Sequence, residues 1–408
     1  MTATFETGGV RVLLRRNTAN DVVAANLYLL GGTRQITELT AGIEPLLLAV
    51  SERGTRHYPR SALPQRMAML GSRMEVEARE DWTLFGMQAV RSTFDSTWAI
   101  FADRLIAPTL DPADVEQLRT QALTGARTVR DSPDALLAYL ADSIEFAGHA
   151  YALSPAGTER SLRTITVAQL RSYQQTQIVT SRMLLVVVGN VDRAHLEALV
   201  GKTLARLPHG NYEWTLPALP SPQRGLLVTV PRDLPTNYIL GYYLGPLSTS
   251  PDYQALRIAA AVLSGRLFHE IRTRRNLTYA VEAPFVERAI AAGGLYVTTV
   301  QPDSTLALMR SEIERLKREL IDSESLPRIA QQFITEYFLN NETNGEQANF
   351  LARAALYRGD YHAADRFVDE LRHVTPDDVR RVAQRYMHDV RFVYVGDTTR
   401  ISRPIIGF

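Results

Sequence analysis

One helix–strand unit occurs twice in this chain, and that duplication limits the possible folds more than any other feature. Residues 165–192, ITVAQLRSYQQTQIVTSRMLLVVVGNVD, are matched by residues 374–399, VTPDDVRRVAQRYMHDVRFVYVGDTT. Each copy opens on a threonine, Thr166 or Thr375, at a helix N-cap position where its hydroxyl accepts an orphan backbone N–H. An amphipathic helix then leads to a short apolar strand ending in Gly189-Asn190 or Gly396-Asp397. The two half-starts match as well: GVRVLLRRNTANDVVAANLYLLGG from Gly9 and GLLVTVPRDLPTNYILGYYLGP from Gly225 both read strand, turn, strand.

Between the halves lie LPHGNYEWTLPALPSPQRG, with four prolines and few charges, the composition of a linker. The reading is a domain over 1–206, a linker over 207–224 and a domain over 225–408. Helical periodicity predicts helices over 40–53, 112–130, 133–147, 253–274, 304–321 and 326–357. Strands and helices in runs predict an α+β fold of two homologous domains, each a mostly antiparallel sheet with helices packed on one face. Duplicated domains on a long linker would form a clamshell half with a cleft for ligand.

Composition then excludes several chemistries. With 45 basic against 44 acidic residues the net charge is +1, which offers no field for nucleic acid or an anionic bilayer. Cysteine is absent, so disulfides, thiolate metal sites and Cys nucleophiles are excluded. Imidazole chemistry is confined to His57, His149, His195, His209, His269, His362, His373 and His388. The N-terminus lacks a basic start with an apolar h-region, and the longest apolar run, over 184–188, is far short of a membrane span. The expectation is a soluble cytoplasmic protein, although a chain without cysteine also suits a periplasm.

An ordered series of segments carries a family resemblance. GGTRQITELTAGIEPLLLAVSERGT, MLGSRMEVEAREDWTLF, VRDSPD, FAGHAYALSPAGTERSL and LLVVVGNVD follow one another along the chain. This series resembles the pitrilysin (insulinase) family of zinc peptidases, of the mitochondrial processing peptidase kind, across essentially the whole length. In that family a helix carries H-x-x-E-H: two imidazoles four residues apart hold zinc, the Glu takes a proton from the bound water, and a distant carboxylate is the third ligand. Setting Gly42 and Gly54-Thr55 on the family's flanking residues puts Pro45 and Ala49 at the His positions and Leu48 at the Glu position. The third-ligand position falls on Gly125. None of these four can bind metal or accept a proton. Glu44, the one carboxylate nearby, reads as a favourable charge at a helix start.

The second half contains LFHEIRTRRNLTYAVEAPF, similar to the family's Arg and Tyr seven residues apart, here Arg272 and Tyr279. In relatives built from two subunits or two homologous halves, that pair belongs to the half without zinc. It faces the partner's site, binding the substrate backbone and the oxyanion. A guanidinium's fixed donors and a phenol's O–H suit those roles. The family's glycine-rich loop before this motif is compressed to Leu263-Ser264-Gly265-Arg266.

Other constellations read as structural. His269-Glu270 lacks a second histidine at ligand spacing, and His362, Asp365 and Asp369 read as a solvated helix face. The strand near 74–79 sets Met74, Val76 and Ala78 against Glu75, Glu77 and Arg79, the pattern of a protected sheet edge.

The resemblance implies a non-catalytic subunit of a heterodimeric zinc metalloendopeptidase. Such a subunit shapes a cavity for unfolded peptides and supplies Arg272 and Tyr279 to a homologous chain with intact H-x-x-E-H. The chain itself would bind no cofactor, the zinc residing in the partner, and neither nucleic acid nor membrane would be involved. The alternatives are a structural scaffold like the core subunits of the respiratory cytochrome complex, or a peptide-binding homodimer without peptidase activity.

Overall fold

The computed structural model describes residues 2–322 and 324–402. Its strands form two six-stranded sheets. The first contains β1 (Thr2–Thr7), β2 (Val10–Arg16), β3 (Val22–Leu30), β4 (Arg73–Ala78), β5 (Trp82–Val90) and β6 (Met183–Gly189). The second contains β7 (Leu226–Pro231), β8 (Asn237–Leu247), β9 (Val281–Glu282), β10 (Phe285–Val286), β11 (Ile290–Thr299) and β12 (Arg391–Gly396). The first runs β1-β2-β6-β3-β5-β4 and the second β10-β11-β8-β12-β7, with β9 on β11. Leaving β1 aside, the two orders are the same: the first strand of each half pairs in parallel with the last, β2 with β6 and β7 with β12, and the remaining pairs are antiparallel. The internal repeat is therefore a repeat of topology.

Local chemistry explains the repeated signatures. Thr166 and Thr375 each cap a helix, Val167–Gln177 and Pro376–Tyr386, in reciprocal boxes with Gln169 and Asp378. A capping box satisfies two otherwise unpaired backbone donors. The glycines that close the strands, Gly189 and Gly396, have φ of +150° and +155°. At Gly189 a Cβ would also lie 2.9 Å from the Val23 Cα, so both conformation and space require glycine there.

The structure adds one feature to the expected sheets and corrects one helix. First, helices cover a second face of the sheets as well. Along β3, Val23, Ala25, Leu27 and Leu29 pack with the helices Ile43–Ser51 and Phe94–Ile106. The alternate residues point the other way, where the Asn26 amide donates to Asn349 (2.8 Å) and the Tyr28 hydroxyl to the same side-chain oxygen (2.5 Å) on the helix Asn344–Arg358. Along β8, Leu240 and Tyr242 pack with Leu136 and Leu137 of the helix Pro133–Glu145. Successive strand residues point to opposite faces, so a strand buried throughout needs cover twice.

Second, the helix expected over 326–357 is two helices, Ser325–Leu339 and Asn344–Arg358. The run Asn340-Asn341-Glu342-Thr343 separates them. Such side chains compete with the helix for backbone bonds, and here the Thr343 hydroxyl accepts from the Glu346 N–H at 3.2 Å.

The two compact units consequently interleave along the chain and differ from the expected 1–206 and 225–408. One comprises Met1–Thr128, Leu153–Thr215 and Asn340–Leu356, and the other Val129–Ala152, Leu216–Leu339 and Tyr357–Phe408. The strands of the first sheet precede residue 207 and those of the second follow residue 225, but each half gives a helix to the other half's sheet. Replacing Thr166 or Thr375 with Ala is expected to lower stability by about 1 kcal/mol each. Urea unfolding of the two variants checks this, and an unchanged midpoint in both would remove the caps from the account.

Candidate functional site

The helix Ile43–Ser51 opens after Gly42, whose φ of +86° is left-handed. Pro45 and Ala49, one turn apart, are half-buried on one face, and Leu48 is buried in the first unit's core. Gly125 lies exposed on the helix Pro112–Asp131, with nothing within 4 Å of a Cβ placed there. The four residues bring no donor atom together. Among the described residues no group of three or more His, Cys, Asp or Glu side chains could hold a metal ion. The side chains at these four positions do not fit zinc.

Glu44 has a larger role than a charge at a helix start. Its carboxylate lies 2.9 Å from the Arg182 guanidinium, with side chains 4% and 1% exposed. It also accepts from the Tyr173 hydroxyl at 3.0 Å. Arg182 further donates to the carbonyls of Leu30 (2.7 Å) and Gln177 (2.8 Å). Burial and the adjacent Glu44 charge push the Tyr173 hydroxyl's pKa well up, so it stays a donor. The far end of the helix is held by Arg104, which donates to the Leu48 carbonyl at 2.8 Å and the Ser51 hydroxyl at 3.1 Å. A cation suits a helix C-terminus, although burial pushes the Arg104 pKa down to about 10. His57, the histidine nearest in sequence, bonds Asp103 at 2.8 Å, and Asp103 also accepts from Thr55. The helix is thus pinned by a buried ion pair at its start and by hydrogen bonds from a buried guanidinium at its end.

Arg272 and Tyr279 are presented differently. The helix Asp252–Leu267 runs on through one wide turn, Phe268–Thr273. The residues aligned with the glycine-rich loop are part of that helix, so no loop forms there. Ile271, beside Arg272, is buried. Thr278, beside Tyr279, is also buried and donates to the Thr298 carbonyl. Between these anchors the chain turns through Asn276, at φ +53°, whose N–H reaches the Arg272 carbonyl at 3.0 Å. Tyr279 projects 90% exposed. The exposed Arg272 guanidinium lies 4.9 Å from the Phe268 ring centroid, a cation–π contact that leaves its donors free. Glu270 is engaged by Arg274 at 3.4 Å and by Arg275, and these arginines hold its carboxyl below the usual range.

The remaining candidates are ordinary surface. His362 lies 3.5 Å from Asp365 with both exposed, and Asp369 lies 3.8 Å from Arg372. β4 is an edge strand with Glu75 and Glu77 outward, beside a groove of about 250 Å3. Sequence reasoning passed over Glu145, which continues the buried row Leu137 and Ala141 at helical spacing; that spacing was its signal.

Comparison with known proteins places this geometry among relatives. The model for insulinase (peptidase family M16) matches residues 11–159, and that for the peptidase M16 inactive domain matches residues 164–333. The chain is 24% identical to mitochondrial-processing peptidase subunit beta of Blastocladiella emersonii, over 93% of this chain and 85% of that protein. It is 21% identical to cytochrome b-c1 complex subunit 1 of Caenorhabditis elegans, over 95% and 86%. In fold it is similar to a peptidase M16 inactive domain from Pseudomonas fluorescens, with a TM-score of 0.89 at 20% identity over 97% of this chain and 98% of that one.

Glu44→Gln would leave Arg182 buried without its countercharge, and a loss of about 3–5 kcal/mol is expected. Glu44→Gln with Arg182→Met should recover much of it. Denaturant midpoints of the single and double variants check this, and a single variant as stable as the parent would refute the pinning role.

Proposed function

We propose, for a chain that belongs to the insulinase (M16) peptidase family, that it is the non-catalytic subunit of a heterodimeric zinc metalloendopeptidase. It helps shape the cavity for unfolded peptides and contributes Arg272 and Tyr279 to the site of a homologous, zinc-bearing partner with intact H-x-x-E-H. The chain itself carries no zinc, and the pair works in the cytoplasm. One contrast carries this reading. The three positions aligned with zinc ligands hold Pro45, Ala49 and Gly125 and the position of the Glu base holds Leu48, whereas Arg272 and Tyr279 project from a segment anchored on both sides by buried Ile271 and Thr278.

The chemistry follows from the side chains. A guanidinium offers several donors in fixed geometry to a peptide carbonyl. A phenol donates to charge developing on the carbonyl oxygen, and a donor of that kind is worth roughly 10²–10³ in turnover. Both groups are exposed and need no internal partner to be released before they act.

A second reading, a structural scaffold, is favoured by the likeness to cytochrome b-c1 complex subunit 1. The two readings separate on one experiment. Arg272→Ala and Tyr279→Phe are introduced into this chain, which is then co-purified with its zinc-bearing homologue. The subunit role predicts a loss in kcat of about tenfold or more for each, with association unchanged; full turnover in both variants would leave the scaffold. Metal analysis of the isolated chain should find no stoichiometric zinc, and peptide hydrolysis by the chain alone with zinc bound would overturn both.

A further inference from the structure

The second unit holds a pocket of about 360 Å3 whose lining includes neither Arg272 nor Tyr279. Leu244 and Leu247 of β8 and Leu219 of the proline-rich stretch give it an apolar wall, while Gln223, His388 and Asp389 line its polar side. Glu145, the last residue of the helix Pro133–Glu145, completes the lining. Its volume falls within the range of small-ligand sites, roughly 300–1,000 Å3.

Glu145 is the unusual member. It is 4% exposed, and its Oε2 is sealed from solvent with no hydrogen-bond partner among the described residues. A carboxyl at a helix C-terminus also sits against the negative end of the dipole. The other ionisable groups of the lining already have hydrogen-bond or ion-pair partners. Arg385 lies 3.1 Å from Asp252, which also accepts from the Tyr386 hydroxyl at 2.9 Å, and His388 bonds Asp389 at 2.8 Å. Behind Glu145, Asp142 is paired with Arg288 at 2.7 Å. Arg391 acts on Glu145 only from a distance, donating instead to the Arg224 carbonyl at 3.1 Å. Burial, with Asp142 and Asp389 adding to it against Arg391, pushes the Glu145 carboxyl up to about 8. The result is a buried acid whose Oε2 no cation bonds among the described residues, in the lining of a largely apolar slot.

We propose that this pocket binds an organic cation with an aliphatic stem, its guanidinium or primary ammonium head meeting Glu145 and its stem lying along Leu219, Leu244 and Leu247. The head group supplies the missing donors, and its charge turns Glu145 into the carboxylate, whose proton leaves to solvent. One proton is released per cation bound wherever Glu145 starts protonated. This inference is independent of the subunit role proposed above.

Calorimetric titration of the full chain with n-butylguanidinium tests it. Saturable binding at one site is expected, tightening by about tenfold per pH unit between about pH 6 and 8 and levelling above. Buffers of different ionisation enthalpy should report close to one proton released near neutrality. The neutral analogue n-butylurea should not compete. Because the acid is already uncharged at neutral pH, Glu145→Gln should fold, bind at least tenfold more weakly and lose the pH slope, whereas His388→Gln should keep the slope.

Stability gives a second reading without ligand. A carboxyl raised from 4.5 to about 8 stabilises the fold fully below 4.5, and that contribution disappears as pH rises toward 8. The parent should therefore lose Tm over that window more steeply than Glu145→Gln. A comparison of n-butylguanidinium with an arginine blocked at both termini separates a free small cation from a peptide side chain, according to which binds more tightly. No saturable binding at millimolar concentrations, a pH-independent affinity in the unaltered chain, or equal binding by a folded Glu145→Gln variant would each overturn the proposal.

Discussion

A strand buried on both faces requires two layers of cover, and in this chain that requirement organises everything else. β3 and β8 are almost wholly buried. On one face of β3 the cover is apolar; on the other it includes amide and hydroxyl bonds from Asn26 and Tyr28 to the helix Asn344–Arg358. Burying these polar groups is tolerable only because each finds a partner. The interleaved units follow directly, since the helix that completes each sheet comes from the opposite half of the sequence.

The repeat was legible because its signals are local. Thr166 and Thr375 could be read as caps from the residues that follow them, and the closing glycines from their place after an apolar run. The helix exchange was not legible, because its evidence is tertiary. In sequence, Asn344 and Asn349 look like polar residues of a solvated helix, and only the opposing Asn17, Asn26 and Tyr28 show that they are covered. The break at residues 340–343 was written in Asn and Thr, but it was outweighed by the apolar periodicity on either side.

The same division applies to the candidate site. That the resemblance sets residues without metal-binding side chains at three zinc-ligand positions, and Leu48 at the position of the base, was legible from the flanking glycines and the spacing. The buried use of Glu44 was not, since Tyr173 and Arg182 are more than a hundred residues away. Helix Ile43–Ser51 is held by the buried Glu44–Arg182 pair at one end and by Arg104 at the other. Arg272 and Tyr279 were named by resemblance; what the structure adds is their mounting, two exposed side chains each next to a buried anchor.

The interleaving also has a consequence for synthesis. A chain emerges from its N-terminus, and domains generally fold as units as they appear. Here all six strands of the first sheet are complete by Gly189, yet the helix that covers their second face ends at Arg358. During translation of the intervening residues, the nascent protein holds a sheet with one face still open to water. The order of manufacture is out of step with the order of assembly, and the first unit becomes whole only after most of the second has been made.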